Sequence, residues 1–204
     1  MNKWLIIFLS LLFISCGKER ANQNEFFQLD IPNGFPDPII PEDNQLTYER
    51  IELGKRLFYD PILSKDGTIS CESCHKQEFA FADNVAISAG VEGRLGFRNS
   101  MSLANISYQD ALMREGGVPT LEMQVLVPIQ DHNEMDHNIL SVAEKLNLDS
   151  TYINASLSAY NRKPDPFVIT RALASFQRTM ISGDSNYDRN LLNEKEEKWK
   201  RIIF

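Results

Sequence analysis

Cys71-Glu72-Ser73-Cys74-His75 brings two thiols and an imidazole into five consecutive residues. Two cysteines three positions apart, followed at once by histidine, form the C-x-x-C-H pattern of covalent c-type haem attachment. The spacing suits that chemistry. Both thiols can add to the vinyl groups along one porphyrin edge, and the adjacent imidazole then falls beneath the iron as its proximal ligand. Two other chemistries use paired cysteines. A redox dithiol needs a βαβ setting that is not visible here. A zinc site needs more ligands, and only His132 and His137 remain, five residues apart on a loop. On the opposite face of an iron, Met101, Met113, Met123, Met135, His132 and His137 are the candidates, and spacing does not choose among them. Met123 lies in an apolar run and reads as core. Both histidines lie among Asp131, Asn133, Glu134 and Asp136 and read as solvated.

The elements that must position this motif read as mainly helical. Asp43 or Asn44 is positioned to cap a helix running to Tyr59, which Asp60-Pro61 stops. Lys65-Asp66-Gly67 is a turn. From Cys71 to Glu122 the chain is loop-rich, and loops of that length point to function or to a cofactor that organises them. Residues 121–129 are apolar and interrupted by Pro128, and residues 139–148 and 151–160 read as two short helices. Asp165-Pro166 is a strong helix start, an N-cap followed by proline. Ile169, Ala172, Leu173, Phe176 and Met180 continue it as one stripe that Gly183 ends.

The full chain has 204 residues, 43% of them hydrophobic and 24% charged, which is the composition of a globular protein. Its net charge of −7 excludes nucleic acid as the expected partner, because phosphates would meet repulsion. Met1-Asn2-Lys3, the apolar run 4–14 and Ser15-Cys16-Gly17 form a signal peptide (1–15) with Cys16 as a lipidation site. The run is too short to span a bilayer. The expectation is export to the periplasm, with membrane attachment only through a lipid anchor. Residues 16–43, polar and then proline-rich, read as tether and extended arm.

Beyond the motif, Glu52-Leu53-Gly54-Lys55-Arg56-Leu57-Phe58-Tyr59-Asp60-Pro61, Leu63-Ser64-Lys65-Asp66-Gly67, Phe79-Ala80-Phe81-Ala82-Asp83, Arg98-Asn99-Ser100 and Thr120-Leu121-Glu122-Met123-Gln124 occur in order. Pro128-Ile129, Glu134-Met135, Arg171-Ala172-Leu173-Ala174-Ser175-Phe176 and Asn186-Tyr187-Asp188-Arg189 follow. This series resembles the bacterial dihaem cytochrome c peroxidases and the related MauG-like enzymes over residues 45–190. The resemblance implies a mainly α, cytochrome c-like haem domain at 44–182 with long ordered loops around one haem. It implies reduction of hydrogen peroxide with electrons from a small cytochrome or similar donor protein, and it leaves a homodimer open. Cys71, Cys74 and His75 would hold the haem, and Gln124 and Glu134, ten residues apart, would be the catalytic distal pair. Asn99 is a weak candidate calcium ligand.

Three departures from the family pattern bear on these expectations. Many members place a removable distal histidine where Val91 stands here. Arg114-Glu115-Gly116-Gly117 replaces a Trp-Asp-Gly-Arg stretch whose tryptophan relays electrons. Residues 183–204 resemble the start of a crossover to a second haem domain, and the chain carries no second C-x-x-C-H. The alternatives are therefore a one-haem electron-transfer cytochrome and a truncated haem-binding fragment with poor turnover.

Overall fold

A computed structural model describes residues 25–191. Its helices are α1 (Tyr48–Tyr59), α2 (Cys71–Cys74), α3 (Leu121–Gln124), α4 (Leu126–Gln130), α5 (Ile139–Leu146), α6 (Ser150–Tyr160) and α7 (Pro166–Gln177). No strand longer than an isolated antiparallel bridge occurs among the described residues. The mainly α expectation therefore holds.

Helix α7 is the centre of the core. Asp165 accepts a hydrogen bond from the Val168 N–H at 2.9 Å, and Pro166 pre-sets the first turn. Val168, Ile169, Ala172, Leu173 and Ala174 are at most 1% exposed. Helix α1 crosses α7 at Gly54. A Cβ there would lie 1.9 Å from the Ala172 carbonyl oxygen, so only glycine lets the two backbones approach this closely. Leu53, Leu57 and Phe58 of α1 fill the same core, together with Val142 and Leu146 of α5 and Tyr152 of α6.

The first helix begins later than the sequence suggests. Thr47 is its N-cap, accepting from the Arg50 N–H at 3.3 Å, and Asp43 and Asn44 lie in a separate 3-10 turn. Asn44 is fully buried and donates to the Glu122 carboxylate and the Arg171 carbonyl, so tertiary bonds draw it out of the helix. Helix α7 ends at Gln177, six residues before Gly183. Gly183 instead receives the arm: a Cβ there would lie 2.7 Å from the Pro32 side chain. The arm is also tied by the Phe27 N–H to the Leu46 carbonyl at 2.9 Å. Met123 is 52% exposed, not core, because α3 turns it away from Leu121. The leader, Cys16 and residues 192–204 lie outside the described residues.

Candidate active site

The one-turn helix α2 carries both thiols. Its start is fixed by Ser70, whose N–H donates to Ser73 Oγ at 3.0 Å, and the His75 N–H closes the turn on the Cys71 carbonyl at 2.9 Å. One helical turn sets residues i and i+3 on the same face. Burial pushes the Cys71 thiol up to about 12, and burial followed by the nearby Asp83 charge raises Cys74. Redox dithiols work through a depressed thiol pKa, so this environment disfavours that chemistry.

Residues 76–82 fold into a tight loop that orients the imidazole. Lys76 and Ala82 pair across it, and the Phe81 N–H donates to the Lys76 carbonyl at 2.8 Å. Ala80 and Phe81 both adopt left-handed backbone, φ 55° and 59°. For non-glycine residues this stores about 1–3 kcal/mol each. The result places the Phe81 carbonyl 2.8 Å from His75 Nδ1. A carbonyl only accepts, so the proton is assigned to Nδ1 and Nε2 keeps its lone pair. Burial lowers the His75 pKa, against the opposing main chain of Phe81 and Met101. A neutral ring with one nitrogen committed to a carbonyl is the form that ligates metals.

Gln124 closes α3, and α4 leads directly from it towards Glu134. Gln124 is half-buried, and its Oε1 is a buried acceptor without a partner among the described residues. Such orphans are uncommon and point to a group the chain does not itself supply. Glu134 lies in a tight loop in which the Asn133 N–H bonds Asp131 Oδ1 and the Glu134 N–H bonds the Asp131 carbonyl. Glu134 is exposed, yet partial desolvation of its carboxyl, and secondarily the Asp131 charge, raises its pKa. The turn 89–91 links it to the thiols: the Ala89 carbonyl lies 3.9 Å from Cys74 Sγ, and the Val91 N–H bonds the Glu134 carbonyl at 2.9 Å. The residues present therefore fit a c-type haem: a paired-thiol edge, an imidazole with a free nitrogen, an orphaned acceptor and, across the 89–91 turn, an exposed carboxyl.

The other candidates are accounted for elsewhere. His132 is exposed and faces Asp136, as its acidic surroundings suggest, but His137 is half-buried with Nδ1 3.0 Å from the Leu63 carbonyl oxygen. No group of three or more His, Cys, Asp or Glu able to hold a metal ion occurs among the described residues. Met135 is core, 4% exposed. Asn99 Oδ1 accepts from the Arg114 guanidinium at 2.5 Å. Val91 is 1% exposed and bonds through its N–H to the Glu134 carbonyl at 2.9 Å.

Residues 48–196 match the family described as di-haem cytochrome c peroxidase. The chain belongs to this family. It is 30% identical to the methylamine utilization protein MauG of Methylophilus methylotrophus over 94% of this chain and 57% of that one. It is likewise 30% identical to the cytochrome c551 peroxidase of Nitrosomonas europaea, over 94% of this chain and 54% of that one. Among solved structures, a MauG-like protein associated with microbial copper homeostasis superposes with a TM-score of 0.76 and 34% identity, covering 82% of this chain and 51% of that one. The chain thus spans about half the length of these relatives. Membership in the di-haem peroxidase family implies c-type haem, the group that the Cys71, Cys74 and His75 geometry suits.

Sequence reasoning passed over the Phe81 carbonyl, Gly90, Arg94 and Asp136 as parts of this region. Gly90 and Gly93 flanking Val91 were the available signal for a tight turn. A main-chain carbonyl, by contrast, has no signature in residue type.

Proposed function

We propose that this chain is the peroxide-reacting unit of an exported peroxidase, reducing hydrogen peroxide to water with electrons from a small donor protein. It would carry one covalent haem on Cys71 and Cys74, with His75 on the iron. Cys16 would serve as the lipid anchor on the periplasmic side of a membrane. The overall reaction consumes one peroxide, two electrons and two protons and yields two waters. Haem, when bound, supplies an iron to which peroxide oxygen can coordinate and a store for the electrons exchanged.

The chain's own residues handle protons. The Glu134 carboxylate takes a proton from one peroxide oxygen and returns it to the other, so that the departing oxygen leaves as water. Proton handling by a positioned carboxylate contributes about 10²–10⁴-fold in rate. The Gln124 amide orients peroxide by hydrogen bonding through the Oε1 that lacks a partner. Val91, buried and without a side-chain donor or ligating atom, leaves the distal face free for peroxide. The observation that carries this reading is the hairpin joining the two sides of the site: its Ala89 carbonyl lies 3.9 Å from Cys74 Sγ, and its Val91 N–H bonds the Glu134 carbonyl at 2.9 Å.

The test is an optical spectrum of the haem-loaded chain before and after peroxide, in wild type and in Glu134→Gln. The expected result is high-spin iron that peroxide oxidises rapidly in wild type and slowly in the variant. A low-spin spectrum unaffected by peroxide would instead indicate an electron-transfer cytochrome.

A further inference from the structure

The hairpin that carries Val91 touches both sides of the site. At its start, the Ala89 carbonyl lies 3.9 Å from Cys74 Sγ. Gly90 follows, and a Cβ on it would lie 2.1 Å from the Asn133 carbonyl oxygen and 2.4 Å from that of Glu134. The Val91 N–H bonds the Glu134 carbonyl, and the hairpin closes through the Gly90 N–H on the Arg94 carbonyl at 2.8 Å. Arg94 then reaches back over the same loop. Its Nη2 donates to Asp136 Oδ2 at 2.8 Å, and its Nη1 lies 3.4 Å from Glu92 and 3.3 Å from His132 Nε2.

Asp136 is the knot of this arrangement. Lys65 Nζ also reaches its Oδ2 at 2.9 Å, and His132 Nδ1 lies 3.3 Å from Oδ1. The Lys65 cation first, and Arg94 with it, hold the Asp136 carboxyl well below the usual range. Asp136 sits at φ 47°, a left-handed conformation in a non-glycine residue that its surroundings must enforce. The Lys65 N–H additionally bonds the Met135 carbonyl at 3.0 Å. Main-chain bonds therefore grip the loop at Glu134 and Met135, and a charged clamp closes at Asp136.

We infer that Gly90 and Arg94 are positioning residues for the peroxide step: the hairpin 88–95 braces the loop 131–137 and so fixes where the Glu134 carboxyl stands relative to the attached haem. This rests on the proton-handling role proposed for Glu134. General acid–base groups act through a narrow range of geometry, and a displacement on the order of 1 Å can slow a reaction by about 100-fold. Gly90 acts by its missing side chain, which permits the close approach of two backbones. Arg94 acts through Asp136, using the fork of a guanidinium to engage several acceptors at once. A lysine ammonium matches that fork poorly.

The experiment compares Arg94→Gln, Arg94→Lys, Gly90→Ala and Glu134→Gln in the haem-loaded full chain. It reads amide hydrogen exchange over 131–137 and, separately, the single-turnover rate with peroxide and the KM for the electron donor. Arg94→Gln should speed exchange in 131–137 by about tenfold without altering α7. It should slow the peroxide step by about tenfold, with the donor KM unchanged. Arg94→Lys should fall between that variant and wild type, and Gly90→Ala should match or exceed Arg94→Gln. Should Gly90→Ala fail to fold, the two arginine variants decide the matter. Wild-type exchange, or a wild-type peroxide rate despite faster exchange, overturns the inference. A Glu134→Gln variant that reacts at the wild-type rate overturns the role of Glu134 instead, leaving the brace itself to stand or fall on the exchange data.

Discussion

Glu134 combines two effects that pull against each other. Partial desolvation of its carboxyl, aided by the Asp131 charge, raises its pKa although the residue is exposed, so ionisation costs the folded state free energy. As the proposed base it must nevertheless be ionised. Replacing it with glutamine should slow the peroxide step by about 10²–10⁴-fold, measured in single turnover. The same raised pKa predicts that wild-type activity falls on acidification at a pH above the usual glutamate value of about 4.3. The stability consequence has the opposite sense. A group whose pKa is higher folded than unfolded stabilises below its unfolded value, and that contribution is lost as pH rises through the folded value. Glu134→Gln should therefore melt slightly above wild type at neutral pH, the gap being small because solvent screens an exposed group and closing towards acid. A variant slower yet more stable is the pattern expected of a strained functional group. At this scale the cysteines and histidines were legible because reactive side chains are letters in the sequence. The Phe81 carbonyl that orients His75 was not, because every residue has one.

Among the elements, α3 and the end of α7 are joined by a buried ion pair. Arg178, 4% exposed, donates to Glu122 through Nη1 at 2.7 Å and Nη2 at 3.1 Å, and Asn44 adds a third bond to the same carboxylate. Burial works to raise Glu122, but the guanidinium overrides it and holds the carboxyl below its ordinary range. Stability from this pair is present above the unfolded glutamate pKa and is lost as pH falls through the lower folded value. Arg178→Met leaves a buried charge alone and should cost about 3–5 kcal/mol, read by denaturant unfolding. Gly54→Ala should also destabilise, by about 1–3 kcal/mol or more, because α1 and α7 must separate to admit the methyl. Helix α7 was legible at its start, where Asp165-Pro166 is a purely local signal. Its end was not. The apolar stripe continues to Met180, but the chain leaves the helix after Gln177, and Asn105 and Met180 then bond across to fix the exit.

In the whole molecule, stability is distributed unevenly. Between residues 75 and 100 Val91 is the only fully buried apolar side chain and lies outside the main core, against which Phe81 packs from the same stretch, whereas α1 and α7 bury most of their apolar residues against each other. A covalently attached haem would supply the missing apolar body for that region. Chain made without attachment, as Cys71→Ala/Cys74→Ala, should lose amide protection across 75–100 while α1, α6 and α7 keep theirs, measured by hydrogen exchange. Equal protection in both forms would show that the loops hold themselves.

The amino-acid sequence alone pointed to the attachment motif and the helical class, because these rest on residue type and on spacing along the chain, while the distal pair came from the resemblance. Tertiary structure decided which of these residues meet. Glu134 lies 63 positions from Cys71 and 60 from Cys74, and what joins them is the turn at Gly90 and Val91, with Cys74 at one end and the Glu134 main chain at the other. Proximity across such separations is set by how backbones pack in space, and no local preference encodes it.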